Sequence, residues 1–218
     1  MPWLPHLLAL LVVGPALADR WLFSPSGRGS DARYGVYGRI LAWQWLASAA
    51  ILLGCGPEKI WTVPAGTAAL RWLPPAWSAV AAALLFVAAV SVPVLRRPQS
   101  GSETMPLWPK GGAEQAAWAL VAVTSGVCEE IMFRGFLLSY GHAFPWHWAW
   151  PAAIGASCLA FGLGHLYQGA GSALRAAAAG LLFCGLFLAS GSLWLPVLTH
   201  VAADLAGFLP TRRQIGVA

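Results

Sequence analysis

The chain of 218 residues is 58% hydrophobic and only 10% charged, with a net charge of +5 and a mean hydropathy of +0.65. Soluble domains carry about 25% charged residues, so this composition excludes a soluble globular domain and leaves an integral membrane protein. The length fits one helical bundle and not two domains.

Seven apolar segments have the length that a bilayer requires. In chain order they cover approximately 3–18, 39–55, 75–95, 114–141, 148–166, 173–190 and 193–209. The expected fold is therefore all-α, a polytopic bundle of about seven (seven to eight) spans around an intramembrane polar cavity. The first 112 residues supply N-terminal spans and loops, 113–209 the core spans, and 210–218 a basic tail. Pro, Gly and Ser mark the loops before the second and fourth spans, SPSGRGSDARYG and RRPQSGSETMPLWPKGG. Ala16, Leu17 and Ala18 resemble a signal-peptide cleavage site. The apolar run lacks a positive n-region, however, and cleavage would place Arg20, Arg28, Arg33 and Arg39 outside.

Positive charge is distributed unevenly. Loops one, three and five with the tail hold Arg20, Arg28, Arg33, Arg39, Arg96, Arg97, Lys110, Arg175, Arg212 and Arg213, against Lys59 and Arg71 on the other side. The positive-inside rule then predicts an outside N-terminus and a cytoplasmic C-terminus. The Ala-, Gly- and Trp-rich, Lys-poor composition points to a bacterial inner membrane. Tryptophans such as Trp3, Trp43, Trp45, Trp61, Trp146, Trp148 and Trp194 fall near segment ends and read as interfacial belts. Gly155, Gly162, Gly164, Ala176 to Gly180 and Gly185 suit close helix packing. Cys55, Cys128, Cys158 and Cys184 are scattered singly and suggest no disulfide framework; Cys128 adjoins Glu129 and is a candidate site neighbour.

Against this apolar background, three spans carry polar groups. The fourth contains Glu129-Glu130-x-x-x-Arg134, the fifth ends in Phe161-Gly-Leu-Gly-His165, and the seventh contains His200-Val-Ala-Ala-Asp204. A charge at mid-bilayer costs roughly 2.5–3.5 kcal/mol on insertion scales, so these groups need partners or a function. Residues four apart share a helix face, and Glu before Arg is the favourable order. Glu130 and Arg134 are expected to neutralise one another, while Glu129, about 100° round the helix, is left free. Converging the three spans on a water-filled cavity satisfies all of these groups.

A free carboxylate beside a histidine can take a proton from water, and a second histidine can stabilise an oxyanion. Together these make amide hydrolysis. The chemistry needs no cofactor, although Glu129, His165 and His200 are also adequate zinc ligands. His142 and His147 read as interfacial, His6 has no evident partner, and Arg175 reads as a positive-inside anchor.

These three motifs, in this order and each on its own apolar helix, resemble those of the CPBP intramembrane proteases, which include the type II CAAX prenyl endopeptidases and abortive-infection-like proteins. The resemblance covers about residues 114–209. It implies an eight-helix or similar bundle with Glu129 as water-activating base, His165 completing the water site, His200 stabilising the oxyanion, and Glu130 and Arg134 in support. Asp204 occupies a position where the family has Asn or Asp, and an ionised Asp would repel an oxyanion. It is therefore expected to orient His200 or to be protonated. The implied partners are the lipid bilayer and a membrane-anchored protein or peptide substrate, with no nucleic acid. Two other classes compete: a proton-coupled transporter, which would show two related halves, and a non-catalytic immunity or scaffold protein.

Overall fold

The computed structural model describes residues 3–17, 22–25, 29–63, 76–96, 107, 109, 111–142 and 146–208. Among these the chain is all-helical, with a single isolated bridge between Thr62 and Ser192. The helices are α1 (Leu4–Leu17), α2 (Ser30–Cys55), α3 (Pro57–Trp61), α4 (Ala76–Arg96), α5 (Gly112–His142), α6 (Trp150–Leu163), α7 (Ala170–Ser190) and α8 (Trp194–Phe208). Three of them, α2, α5 and α7, are long and apolar enough to cross a membrane. The tail expected at 210–218, together with Arg20, Arg28, Arg71, Lys110 and Trp21, lies outside the described residues.

Helix α2 begins nine positions before the apolar segment that predicts it. It takes in Arg33 and Arg39, which the sequence reads as loop residues. At 1.5 Å per residue its 26 residues span about 39 Å, more than a hydrocarbon core of about 30 Å. The extra turns are stabilised by a two-point ion pair: Arg33 donates from Nε to Glu114 Oε2 at 2.9 Å and from Nη2 to Oε1 at 2.6 Å. The pair ties the first turn of α2 to the first turn of α5. Such a fork is the strong form of a charged hydrogen bond.

Helix α5 also departs from expectation. The sequence reads one regular helix, but Ile131–Leu138 is π-helical. Widened turns of this kind occur often at functional sites. Carbonyls disturbed by the widening need other donors, and Ser157 Oγ on α6 donates to Phe133 O at 2.9 Å. Within the wide turn Gly135 lies against α3, where a Cβ would stand 2.8 Å from the Ile60 carbonyl.

The small residues divide into two groups. Gly126 and Gly162 are true crossing points: a Cβ would meet the Val201 backbone nitrogen on α8 at 2.8 Å and the Ala173 carbonyl on α7 at 2.9 Å, respectively. Gly155 and Gly185 face open space and do not mediate packing. The turn between α7 and α8 needs Gly191, whose φ of 73° lets its N–H cap Phe187 O.

A few polar side chains are fully buried while large apolar ones face outward. Glu130, Arg134 and Ser157 are 0% exposed, whereas Leu53, Leu174 and Leu85 are 88%, 74% and 71% exposed. An apolar exterior suits a lipid surround, and the polar groups inside it must find partners there. Trp3, Trp45, Trp146, Trp148 and Trp194 are exposed as a belt would be. Trp43, less exposed, lines the cavity. The two histidines read as interfacial flank residues 143–145, which are not described; His142 Nδ1 lies 2.9 Å from the Trp148 carbonyl and its ring stacks on Trp150. His6, partnerless in sequence, has Nδ1 2.6 Å from the Tyr140 hydroxyl.

Candidate active site

The polar groups of α5, α6 and α8 converge on one cavity of about 900 Å³, and Glu129, His165, His200 and Asp204 all line it. Glu130 and Arg134 sit behind that wall, fully buried. Arg134 Nη1 donates to Glu130 Oε1 at 2.9 Å, the i,i+4 pair that helix spacing predicts. Its guanidinium carbon also lies 4.3 Å from the Phe161 ring centroid and 5.1 Å from that of Phe183. Aromatic faces and one carboxylate thus share the task of holding a charge away from water. Gly180 makes the space, since a Cβ there would stand 3.1 Å from Arg134 Nη2.

The same Glu130 oxygen has a second partner, His200 Nδ1 at 2.8 Å. A carboxylate can only accept, so Nδ1 carries the proton and Nε2 is turned toward the cavity. There Nε2 lies 3.7 Å from Glu129 Oε2 and 3.7 Å from Asp204 Oδ2. The ring is stacked on Phe183, 4.8 Å between centroids at 17°, with Phe161 edge-on. The expectation that Asp204 orients His200 is therefore modified. Glu130 makes the close bond and sets the ring, while Asp204, more exposed, faces its other nitrogen.

Arg134, the cation on the same helix, is paired with Glu130 and not with Glu129, as expected. Glu129 Oε1 instead accepts from Gln44 Nε2 on α2 at 3.1 Å. His165 follows the end of α6 with φ −103° and ψ 6°, in the sparsely populated bridge region common at active sites. Its Nδ1 lies 2.9 Å from the Phe161 carbonyl and donates to it, which leaves Nε2 as the free nitrogen. No hydrogen bond or ion pair joins Glu129 to His165 among the described residues; the two share the cavity rather than a bond.

Beyond His165, Tyr167 lines the cavity and stacks on Phe23 at 3.7 Å. Burial pushes its phenol up to about 12, aided by the charges of Glu129 and Asp204, so the hydroxyl keeps its proton. Arg175, read from sequence as an anchor, also reaches the cavity and donates to Ser172 Oγ at 2.9 Å. Cys128 does not enter the site; it is buried in the main apolar core. No group of three His, Cys, Asp or Glu side chains is placed to hold a metal ion among the described residues.

Two site features escaped the sequence. The bond between Glu130 and His200 joins residues on different helices and leaves no local pattern. Gln44 does leave a signal in the sequence, as an amide inside an otherwise apolar span.

Compared with protein families, residues 113–206 match the one described as Type II CAAX prenyl endopeptidase Rce1-like. That segment is similar to the Rce1-like family. It holds all three motifs that resemble the CPBP proteases, from Glu129 to Asp204. The Rce1-like family is a protease family, and the match together with the long apolar helices marks an integral membrane protein. Comparison with curated proteins and with solved structures finds no match. The matched segment corresponds to α5 through α8, the stretch that carries Glu129, His165, His200 and Asp204 to the cavity.

Proposed function

We propose that this protein is an intramembrane endopeptidase that hydrolyses a peptide bond of a membrane-associated protein or peptide with glutamate-activated water. The observation that carries the reading is the chain Arg134–Glu130–His200, which ends against Glu129 in a cavity within apolar helices. Glu129 takes a proton from a water held with His165, and the resulting hydroxide attacks the scissile carbonyl carbon. The oxyanion that forms accepts from His200 Nε2–H, a role that needs the doubly protonated ring because Nδ1 already donates to Glu130. Glu129 then passes its proton to the leaving nitrogen as the C–N bond breaks, giving a carboxylate product and an amine. Asp204 faces His200 Nε2 and counters its positive charge.

The reading is metal-free. It also carries seven spans, an outside N-terminus and a cytoplasmic C-terminus in a bacterial inner membrane. The substrate class is a CAAX-type tail or a C-terminal sorting segment, and similarity to the type II CAAX prenyl endopeptidase Rce1-like family supports the first.

The test is purified protein in detergent with an internally quenched prenylated peptide ending in Cys-aliphatic-aliphatic-X. Glu129→Gln should abolish turnover while leaving the melting temperature near that of the parent. Full activity in that variant defeats the mechanism. A parent protein that leaves both this peptide and a sorting-tail peptide intact defeats the hydrolase reading in favour of a non-catalytic scaffold.

A further inference from the structure

The Rce1-like match begins at residue 113 and leaves α2 outside it. Yet α2 sends one polar side chain into the site. Gln44 is buried at 6% exposure on an apolar helix, where an unbonded amide would carry its full desolvation cost. It is bonded at both ends. Nε2 donates to Ser125 Oγ at 2.9 Å and to Glu129 Oε1 at 3.1 Å, and the Ser125 hydroxyl lies 3.3 Å from Gln44 Oε1. Ser125 and Glu129 are four apart on α5 and share a face. Because an ionised carboxylate only accepts, the nitrogen end of the amide must face Glu129.

We infer that Gln44 is a positioning residue that decides which oxygen of Glu129 works. Oε1 is occupied by the amide. Oε2, 3.7 Å from His200 Nε2, is left facing the cavity to take the water proton. Ser125 holds the amide in turn, so α2 sets the aim of a base carried on α5. The catalytic consequence rests on the hydrolase reading; the bond itself does not.

Two measurements on the full-length protein in detergent test this. With the quenched prenylated peptide, Gln44→Met, similar in length but without a donor, should lower kcat about tenfold, the effect of one hydrogen bond to a charged group. KM should stay within about twofold and the melting temperature within about 3 °C. Gln44→His, whose Nε2–H reaches a similar distance, should recover part of kcat. Infrared difference spectra, with the Glu129 carboxyl band isolated by subtracting the Glu129→Gln protein, should show that band displaced in Gln44→Met and displaced less in Ser125→Ala. A Glu129 band unmoved by Gln44→Met overturns the inference, as does a kcat loss that only tracks loss of folded protein. If the parent cleaves neither this peptide nor a sorting-tail peptide, the hydrolase reading falls, and the infrared band still decides whether Gln44 holds Glu129.

Discussion

His200 Nδ1 lies 2.8 Å from Glu130 Oε1, although the two residues are 70 positions apart in sequence. The same oxygen accepts from Arg134 at 2.9 Å. Glu130 is thus the joint between α5 and α8, neutralising a buried guanidinium and fixing the face and tautomer of a histidine. Its neighbour Glu129, rotated away, meets the cavity. Adjacent residues with the same side chain have been given different work by helix rotation alone.

Removing the charge of Glu130 leaves Arg134 without its anion in apolar surroundings. Breaking a buried pair on one side costs about 3 kcal/mol or more. Glu130→Gln is expected to lower the melting temperature and the yield of folded protein, whereas Glu129→Gln is expected to lower neither. Thermal denaturation of both variants in one detergent checks the contrast.

Substitution of His200 separates its two nitrogens. His200→Gln keeps a donor for Glu130 and loses the ring nitrogen that faces the cavity. Turnover should fall about 100-fold, the size of one lost oxyanion donor, with modest change in stability. His200→Phe keeps the stacking on Phe183 and loses both nitrogens, so it should lose stability as well. Paired measurements of kcat and melting temperature distinguish these outcomes.

The glycines offer a packing test with an internal control. At Gly162 a Cβ would stand 2.9 Å from the Ala173 carbonyl, and at Gly155 it would meet nothing within 4 Å. Gly162→Val should cost about 1–3 kcal/mol by forcing α6 from α7. Gly155→Ala should be neutral or slightly stabilising, because Ala is the better helix former. Equal effects at the two sites would contradict the crossing described above.

The Arg33–Glu114 fork holds the ends of α2 and α5 together. Glu114→Gln removes the charge and should loosen those first turns, detected as faster proteolysis near the start of α2. Reversing the pair, Arg33→Glu with Glu114→Arg, should restore part of the protection that either single change loses.

Chelation addresses the chemistry directly. Turnover of the quenched peptide should be unchanged after prolonged treatment with a strong chelator, since the described His, Asp and Glu side chains do not gather as a metal-ligand set. Loss of activity that returns on adding zinc would reverse this expectation.

Composition and local spacing were enough to predict an all-helical membrane protein, the approximate positions of most of its apolar helices, and the Glu130–Arg134 pair that leaves Glu129 out. These are properties of one helix at a time, set by hydropathy and by a rotation of about 100° per residue. What spacing could not supply lies between helices. The Glu130–His200 bond, the aromatic faces around Arg134, the reach of Gln44 from α2 and the widened turn at Ile131–Leu138 all depend on how the helices cross. Those crossings are decided by glycines such as Gly126 and Gly162, through contacts with residues far away in the chain. Sequence named the groups that needed partners in lipid; only tertiary packing chose the partners, because a hydrogen bond between helices leaves no periodic trace in either one.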